Sequence, residues 1–222
     1  MSANSLSILC FGDSLTQGFH SWGLSKHPYA DELVDVLEKH FPSLRLKITA
    51  DVAGQPGDTV VYAEGAIKRG GFLSRIQLKC DKKKYDWVVI LGGTNDLAWG
   101  HDAKTIYAAL RDCWNVALES GAKVLALTIP ECQSTVKDEE RTAVNTLILD
   151  TKMDRFYSFD LRPKIPYRGS SDEFIEKIFD DGLHLTADGY DLMGRSIGLC
   201  LADILKAEGT IAGLGVEEEA SK

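Results

Sequence analysis

The stretch Ser7-Ile8-Leu9-Cys10-Phe11-Gly12-Asp13-Ser14-Leu15-Thr16 decides how the rest of the chain is read. It is a short apolar run, rich in β-formers, that stops abruptly at Gly-Asp-Ser, so it reads as a buried strand ended by a turn. Gly12 lets the backbone turn sharply. Asp13 and Ser14 then stand at the carboxyl end of that strand, where open α/β sheets hold their ligands. A serine placed there is a nucleophile if a base reaches it. Asp-Ser is equally a good start for a helix, because both side chains accept from backbone N–H groups at an N-cap.

Working outward, the same pattern recurs. Ala30 to His40 is amphipathic, with Leu33, Val34 and Leu37 at helical spacing and Pro42 beyond it. Leu44 to Ile48 alternates apolar and basic residues, as a strand near a sheet edge does. It leads into Val52-Ala53-Gly54-Gln55-Pro56-Gly57-Asp58-Thr59, a glycine-containing loop in which Asp58-Thr59 has the form of a helix cap. Trp87 to Leu91 is a continuous apolar run, expected of a central parallel strand, and it ends in Gly92-Gly93-Thr94-Asn95-Asp96. Thr105 to Ser120 is a helix, Lys123 to Ile129 a strand, Lys137 to Asp150 a helix and Phe156 to Leu161 a short strand. Lys164 to Glu173 reads as a surface loop, and Ala187 to Leu205 as the closing helix. Strands alternating with helices imply a parallel sheet covered on both faces. The expected organisation is one domain over residues 6–208, followed by a flexible tail over 209–222.

Composition narrows the function classes. The chain has 222 residues, enough to bury roughly 70% of its unfolded surface without a metal or disulfide. Its five cysteines are scattered and never form a Cys-x-x-Cys pair, which argues against a disulfide framework or structural zinc. Acidic residues outnumber basic ones, 33 to 25, for a formal net charge of −8. That balance disfavours nucleic acid, whose phosphates call for Lys and Arg on one face. No signal-like leader and no membrane-spanning run is read, so the expected compartment is the cytoplasm. No P-loop and no Gly-x-Gly-x-x-Gly follows a strand, and no cofactor or metal is expected.

Of the histidines His20, His27, His40, His101 and His184, only His184 has a carboxylate three residues before it in a glycine-containing turn, Asp181-Gly182-Leu183-His184. Such a turn can set the carboxylate on Nδ1 and leave Nε2 as a base. The loops around Gly57 and Asn95 offer N–H donors suited to a developing oxyanion.

Four blocks in this order form a family pattern: Gly12-Asp13-Ser14-Leu15, Gly57-Asp58-Thr59, Gly93-Thr94-Asn95-Asp96 and Asp181-Gly182-Leu183-His184. The sequence resembles the SGNH hydrolases, also called the GDSL esterase/lipase family, from Ser7 to about Leu205. The second block departs from the family, in which an Asn is often found near the position of Asp51. The resemblance implies a flavodoxin-like three-layer α/β/α sandwich and a serine ester hydrolase working through a covalent acyl-enzyme. It implies Ser14 as nucleophile, His184 as general base and Asp181 as its orienting partner. The oxyanion hole would be the N–H of Ser14, the N–H of Gly57 and the side-chain amide of Asn95. The Gly-x-Ser-x-Gly elbow of α/β-hydrolases is absent.

The expected partner is a small-molecule ester, with short acyl or acetyl chains favoured because no stretch is long enough to form an amphipathic lid. Lysophospholipase, thioesterase and carbohydrate O-deacetylase activities are the alternatives within the family. A catalytically inactive acyl-ligand-binding domain, or a flavin or nucleotide binder of the same fold, are alternatives of another class. Trp22, Trp99 and Tyr62 are candidate pocket walls, or else core. The oligomeric state is left open.

Overall fold

The computed structural model describes residues 5–42, 47–61 and 71–209. The expected tail beyond residue 209, the start of the strand expected at Leu44 and the candidate wall residue Tyr62 lie outside the described residues. In chain order the elements are β1 (Ser5–Gly12), α1 (Ser14–Gln17), β2 (Phe19–His20), β3 (Ser25–Lys26), α2 (Ala30–His40), β4 (Lys47–Gly54), α3 (Phe72–Lys82), β5 (Trp87–Leu91), α4 (Thr94–Ala98), α5 (Ala103–Glu119), β6 (Lys123–Leu127), α6 (Asp138–Asp150), β7 (Phe156–Phe159), α7 (Asp172–Ile178) and α8 (Ala187–Ala207).

Five strands form a parallel sheet in the order β4-β1-β5-β6-β7. Numbered within the sheet alone, this is the flavodoxin-like order 2-1-3-4-5. The inner strand β5 is apolar throughout because both faces are covered, whereas the edge strand β4 carries Lys47, Thr49 and Asp51. Side chains alternate between the faces. Ile8 and Cys10 of β1, Trp87, Val89 and Leu91 of β5 and Leu125 of β6 pack on one side under α2 and α8. Leu9, Phe11, Val88, Ile90 and Val124 pack on the other side, under α3, α5 and α6. The three layers are thus helix, sheet and helix, as expected.

The long helices are set by side-chain caps. Asp102 accepts from Thr105 N at the start of α5, and Thr186 accepts from Gly189 N at the start of α8. Two short elements depart from expectation. Residues 19–26 form a small antiparallel hairpin, β2–β3. The loop expected over Lys164 to Glu173 ends in α7, whose N-cap is Ser171. That loop is tied down by Glu131, which accepts from Tyr167 N and Arg168 N at 3.0 Å each.

The chain runs from β1 outward to β4 and then crosses back to β5 on the other side of β1. Between β1 and β5 the connections diverge, which opens a crevice at the carboxyl ends of the strands. Ser14 follows β1 and Asn95 follows β5 at that rim.

Candidate active site

Ser14 is the first residue of α1, immediately after β1. The expected cap at the Asp-Ser pair is formed. Asp13 is the N-cap, its Oδ1 accepting from Leu15 N at 2.9 Å, and Ser14 is carried on the turn it caps. Gly12 is needed for close approach rather than for turning, since its φ is not positive. A Cβ on it would lie 2.2 Å from Thr16 Oγ1 and 2.4 Å from the carbonyl oxygen of Leu91. Asp13 is wholly buried, and desolvation, with the nearby Asp96 and Asp58 charges, pushes its carboxyl up to about 7 against the pull of the Leu15 N–H.

His184 lies 170 residues later, yet its Nε2 is 2.9 Å from Ser14 Oγ. Its Nδ1 is 2.8 Å from Asp181 Oδ2. The other oxygen of Asp181 accepts from the N–H of His184 at 2.7 Å and of Leu183 at 3.0 Å. Burial alone would raise the Asp181 pKa. The hydrogen bonds from the His184 ring and from these two backbone N–H groups outweigh it and hold the carboxyl below its usual range. A carboxylate so held fixes the imidazole tautomer with the proton on Nδ1 and the Nε2 lone pair toward Ser14.

The turn carrying this pair is pinned at both ends. Phe179 and Leu185 form an isolated antiparallel bridge, Asp180 N donates to the carbonyl of His184 at 2.8 Å, and Gln133 N donates to the carbonyl of Gly182 at 2.7 Å. The β2–β3 hairpin backs the imidazole. The Phe19 ring sits 4.7 Å from it, Ser21 N donates to Asp180 Oδ2 at 2.7 Å, and Tyr190 OH donates to the carbonyl of Phe19 at 2.8 Å.

The loops after β4 and β5 also converge. The amide of Asn95 donates through Nδ2 to the carbonyl of Asp58 at 2.8 Å, which fixes its orientation and leaves its second hydrogen for another acceptor. Gly57 has φ of 76°. Among the described residues neither its N–H nor that of Ser14 meets an acceptor. The buried carboxylate of Asp96 accepts from Val60 N at 3.0 Å and Val61 N at 2.8 Å, clasping the same loop. The residues that the expected cap at Asp58-Thr59 would lead into lie outside the described ones. Asp58 turns its side chain to Arg75 of α3, at 2.8 Å from Nε.

Thus the structure brings Ser14, His184 and Asp181 into direct contact and joins the Gly57 and Asn95 loops beside them. Sequence reasoning missed Phe19, Asp96, Asp58 and Arg75 as supports. Only the adjacency of Asp58 to Gly57 and of Asp96 to Asn95 pointed at them. Trp22 and Trp99 are not core: they are 86% and 77% exposed. A cavity of about 260 Å³ opens between the Asn95 and Asp181 loops, lined by Asn95, Leu97, Ala98, Gln133, Lys137 and Leu183 among others. No residue of 164–173 lines it. Among the described residues no helix is long and apolar enough to cross a membrane.

The family model described as GDSL-like lipase/acylhydrolase matches residues 10–192. No curated protein matches the chain. Among solved structures, it is similar to a putative arylesterase from Agrobacterium tumefaciens at 22% identity and a TM-score of 0.69, covering 90% of this chain and 100% of that one. Est24, a carbohydrate acetylesterase from Sinorhizobium meliloti, is 18% identical with a TM-score of 0.69, over 90% and 99% of the two chains. An aryl esterase from M. smegmatis is 19% identical with a TM-score of 0.67, over 91% and 99%. At these identities the likeness is one of fold.

Proposed function

The chain belongs to the GDSL-like lipase/acylhydrolase family and is a carboxylic ester hydrolase, and we propose that it cleaves short-chain acyl esters through an acyl-enzyme on Ser14. The observation that carries this reading is the unbroken relay from Ser14 Oγ to His184 Nε2 at 2.9 Å and from Nδ1 to Asp181 at 2.8 Å.

In the proposed reaction, His184 takes the Ser14 proton as Oγ attacks the ester carbonyl. The carbonyl oxygen becomes an oxyanion held by Ser14 N–H, Gly57 N–H and Asn95 Nδ2. The imidazolium then gives its proton to the departing alkoxide, and the carbonyl re-forms as the acyl-enzyme. Water attacks next, with His184 again the base, and releases the acid and free Ser14. Asp181 remains ionised throughout and stabilises the imidazolium.

The preference for short chains is supported by the rim itself: among the described residues no segment lies across Ser14 as a lid, so added methylenes gain little of the about 0.8 kcal/mol each that full burial yields. A second reading, lysophospholipids or other long-chain esters, is supported by Trp22 and Leu24, which the hairpin presents 86% and 89% exposed.

A series of p-nitrophenyl esters from acetate to palmitate tests the two. The proposal expects kcat/KM to be highest at acetyl or butyryl and to level off or fall beyond. A steady rise through the long chains would overturn it in favour of the second reading.

A further inference from the structure

We propose that Arg75 is the positioning residue of the oxyanion hole: its guanidinium fastens the end of β1 to the loop after β4, and that loop in turn holds Asn95. The proposal rests on the ester-hydrolase reading above.

Arg75 comes from α3, on the face turned toward β1 and β4, and its side chain is only 16% exposed. Every arm of its planar fork is engaged. Nη2 donates to the carbonyl of Gly12 at 2.8 Å, one residue before Asp13-Ser14. Nη1 donates to the carbonyl of Ala53 at 3.0 Å, near the end of β4. Nε lies 2.8 Å and Nη2 2.7 Å from the carboxylate of Asp58, the residue after Gly57. The backbone carbonyl of Asp58 in turn holds the Asn95 amide at 2.8 Å. The guanidinium carbon lies 4.6 Å from the Phe11 ring centroid and 5.7 Å from that of Phe72.

These contacts reach the proposed donors in a few covalent links each. Gly12 precedes the Ser14 N–H by two residues, Asp58 adjoins the Gly57 N–H, and Asp58 orients Asn95 directly. Oxyanion stabilisation depends on donors being fixed before charge develops. An error of about 1 Å in such a site costs on the order of 100-fold in rate. Arg75 does not itself bind substrate, because its donors are taken by protein oxygens. Lysine cannot replace it, since an ammonium is a point donor and cannot span three acceptors lying in one plane.

The test is a double-mutant cycle. Arg75→Met and Arg75→Lys are made in the wild-type and Asn95→Ala backgrounds, with active sites titrated by an organophosphate so that rates refer to folded enzyme. Asn95→Ala alone costs about 10² to 10³ in kcat, the scale of one lost oxyanion donor. In the wild-type background Arg75→Met lowers kcat on p-nitrophenyl acetate by about 30- to 100-fold with KM within about threefold, the scale of a misplaced site. Arg75→Lys recovers little of that loss. In the Asn95→Ala background the same substitution costs several-fold less than in wild type, because one of the donors it positions is already gone.

Equal costs in the two backgrounds, or a change confined to KM, would overturn the proposal and leave Arg75 a structural ion pair. Should Arg75→Met fail to fold, Asp58→Asn keeps the backbone carbonyl that holds Asn95 but removes the charge. It carries the same cycle with the same criterion. A wild-type enzyme without ester turnover would instead count against the underlying reading, before any Arg75 variant is assayed.

Discussion

Replacing Asp181 by Asn changes one atom of the relay and tests its electronic logic. Asp181 Oδ1 accepts from two backbone N–H groups, so the amide of an Asn places its oxygen there and its NH₂ toward the imidazole. Nδ1 must then accept, and the proton moves to Nε2, facing Ser14. Two effects follow. The wrong tautomer is favoured by a hydrogen bond worth about 1 kcal/mol, and the imidazolium loses a charge-assisted bond worth about 1.5–3 kcal/mol. With the partial exposure of the pair weakening the charge effect, the barrier rises by about 2.5–3.5 kcal/mol, or roughly 60- to 300-fold in kcat at about 1.4 kcal/mol per decade. KM should stay within a few-fold, because neither effect depends on substrate binding. The assay is steady-state hydrolysis of p-nitrophenyl acetate at neutral pH, with circular dichroism as a folding control. A kcat within tenfold of wild type in a folded Asp181→Asn protein would refute the view that Asp181 sets the tautomer of His184.

Two further outcomes follow from the packing around the nucleophile. Asp13 has a folded pKa near 7 against an unfolded value of 3.8, so its contribution to stability is full below about pH 3.8 and is lost as pH rises through 7. Linkage between those values gives a loss of about 2–3 kcal/mol between pH 5 and 8. Urea unfolding of wild type and Asp13→Asn should show that loss in wild type only, and parallel pH dependences would contradict it. A Cβ at Gly54 would lie 2.2 Å from Gln17 N and 2.6 Å from the carbonyl of Asp13, both backbone atoms that cannot swing away. Gly54→Ala should therefore cost about 1–3 kcal/mol, lowering Tm by roughly 2–12 °C for a chain of this size. An unchanged Tm in thermal denaturation would show that β4 and α1 are not in contact as described.

The central strand β5 was legible because five consecutive apolar residues, Trp87 to Leu91, fit a strand of an α/β chain buried on both faces. Helices α2, α5, α6 and α8 announced themselves by period and flanking residues, and their ends fell within two residues of expectation. Helix α7 has seven residues between Ser171 and Phe179, too few for a period to emerge against the Pro and Gly before it. The β2–β3 hairpin rests on two-residue strands, too short for an alternating pattern, and on positive φ at Ser21 and Trp22, which no residue type other than glycine announces. At the site, Ser14 was findable as a serine at a strand end, and Asp181 and His184 as a carboxylate and an imidazole three residues apart in a glycine-containing turn. The contact between Asp58 and Arg75 was not legible because the two are 17 residues apart and meet only through the packing of α3. Long-range choices of that kind carry no local pattern. The exposure of Trp22 and Trp99 likewise depends on where the hairpin and α4 end, not on composition.

The measurement that bears most directly on the covalent mechanism is peptide mapping by mass spectrometry after reaction with diethyl p-nitrophenyl phosphate. The account predicts one diethylphosphoryl group per chain, located on Ser14 and appearing in step with loss of esterase activity. It also predicts no labelling of a folded Ser14→Ala protein, whose kcat is lowered by about 10⁴ to 10⁶. A label on another residue that tracks the inactivation, or a Ser14→Ala protein that keeps near-normal kcat, would contradict it.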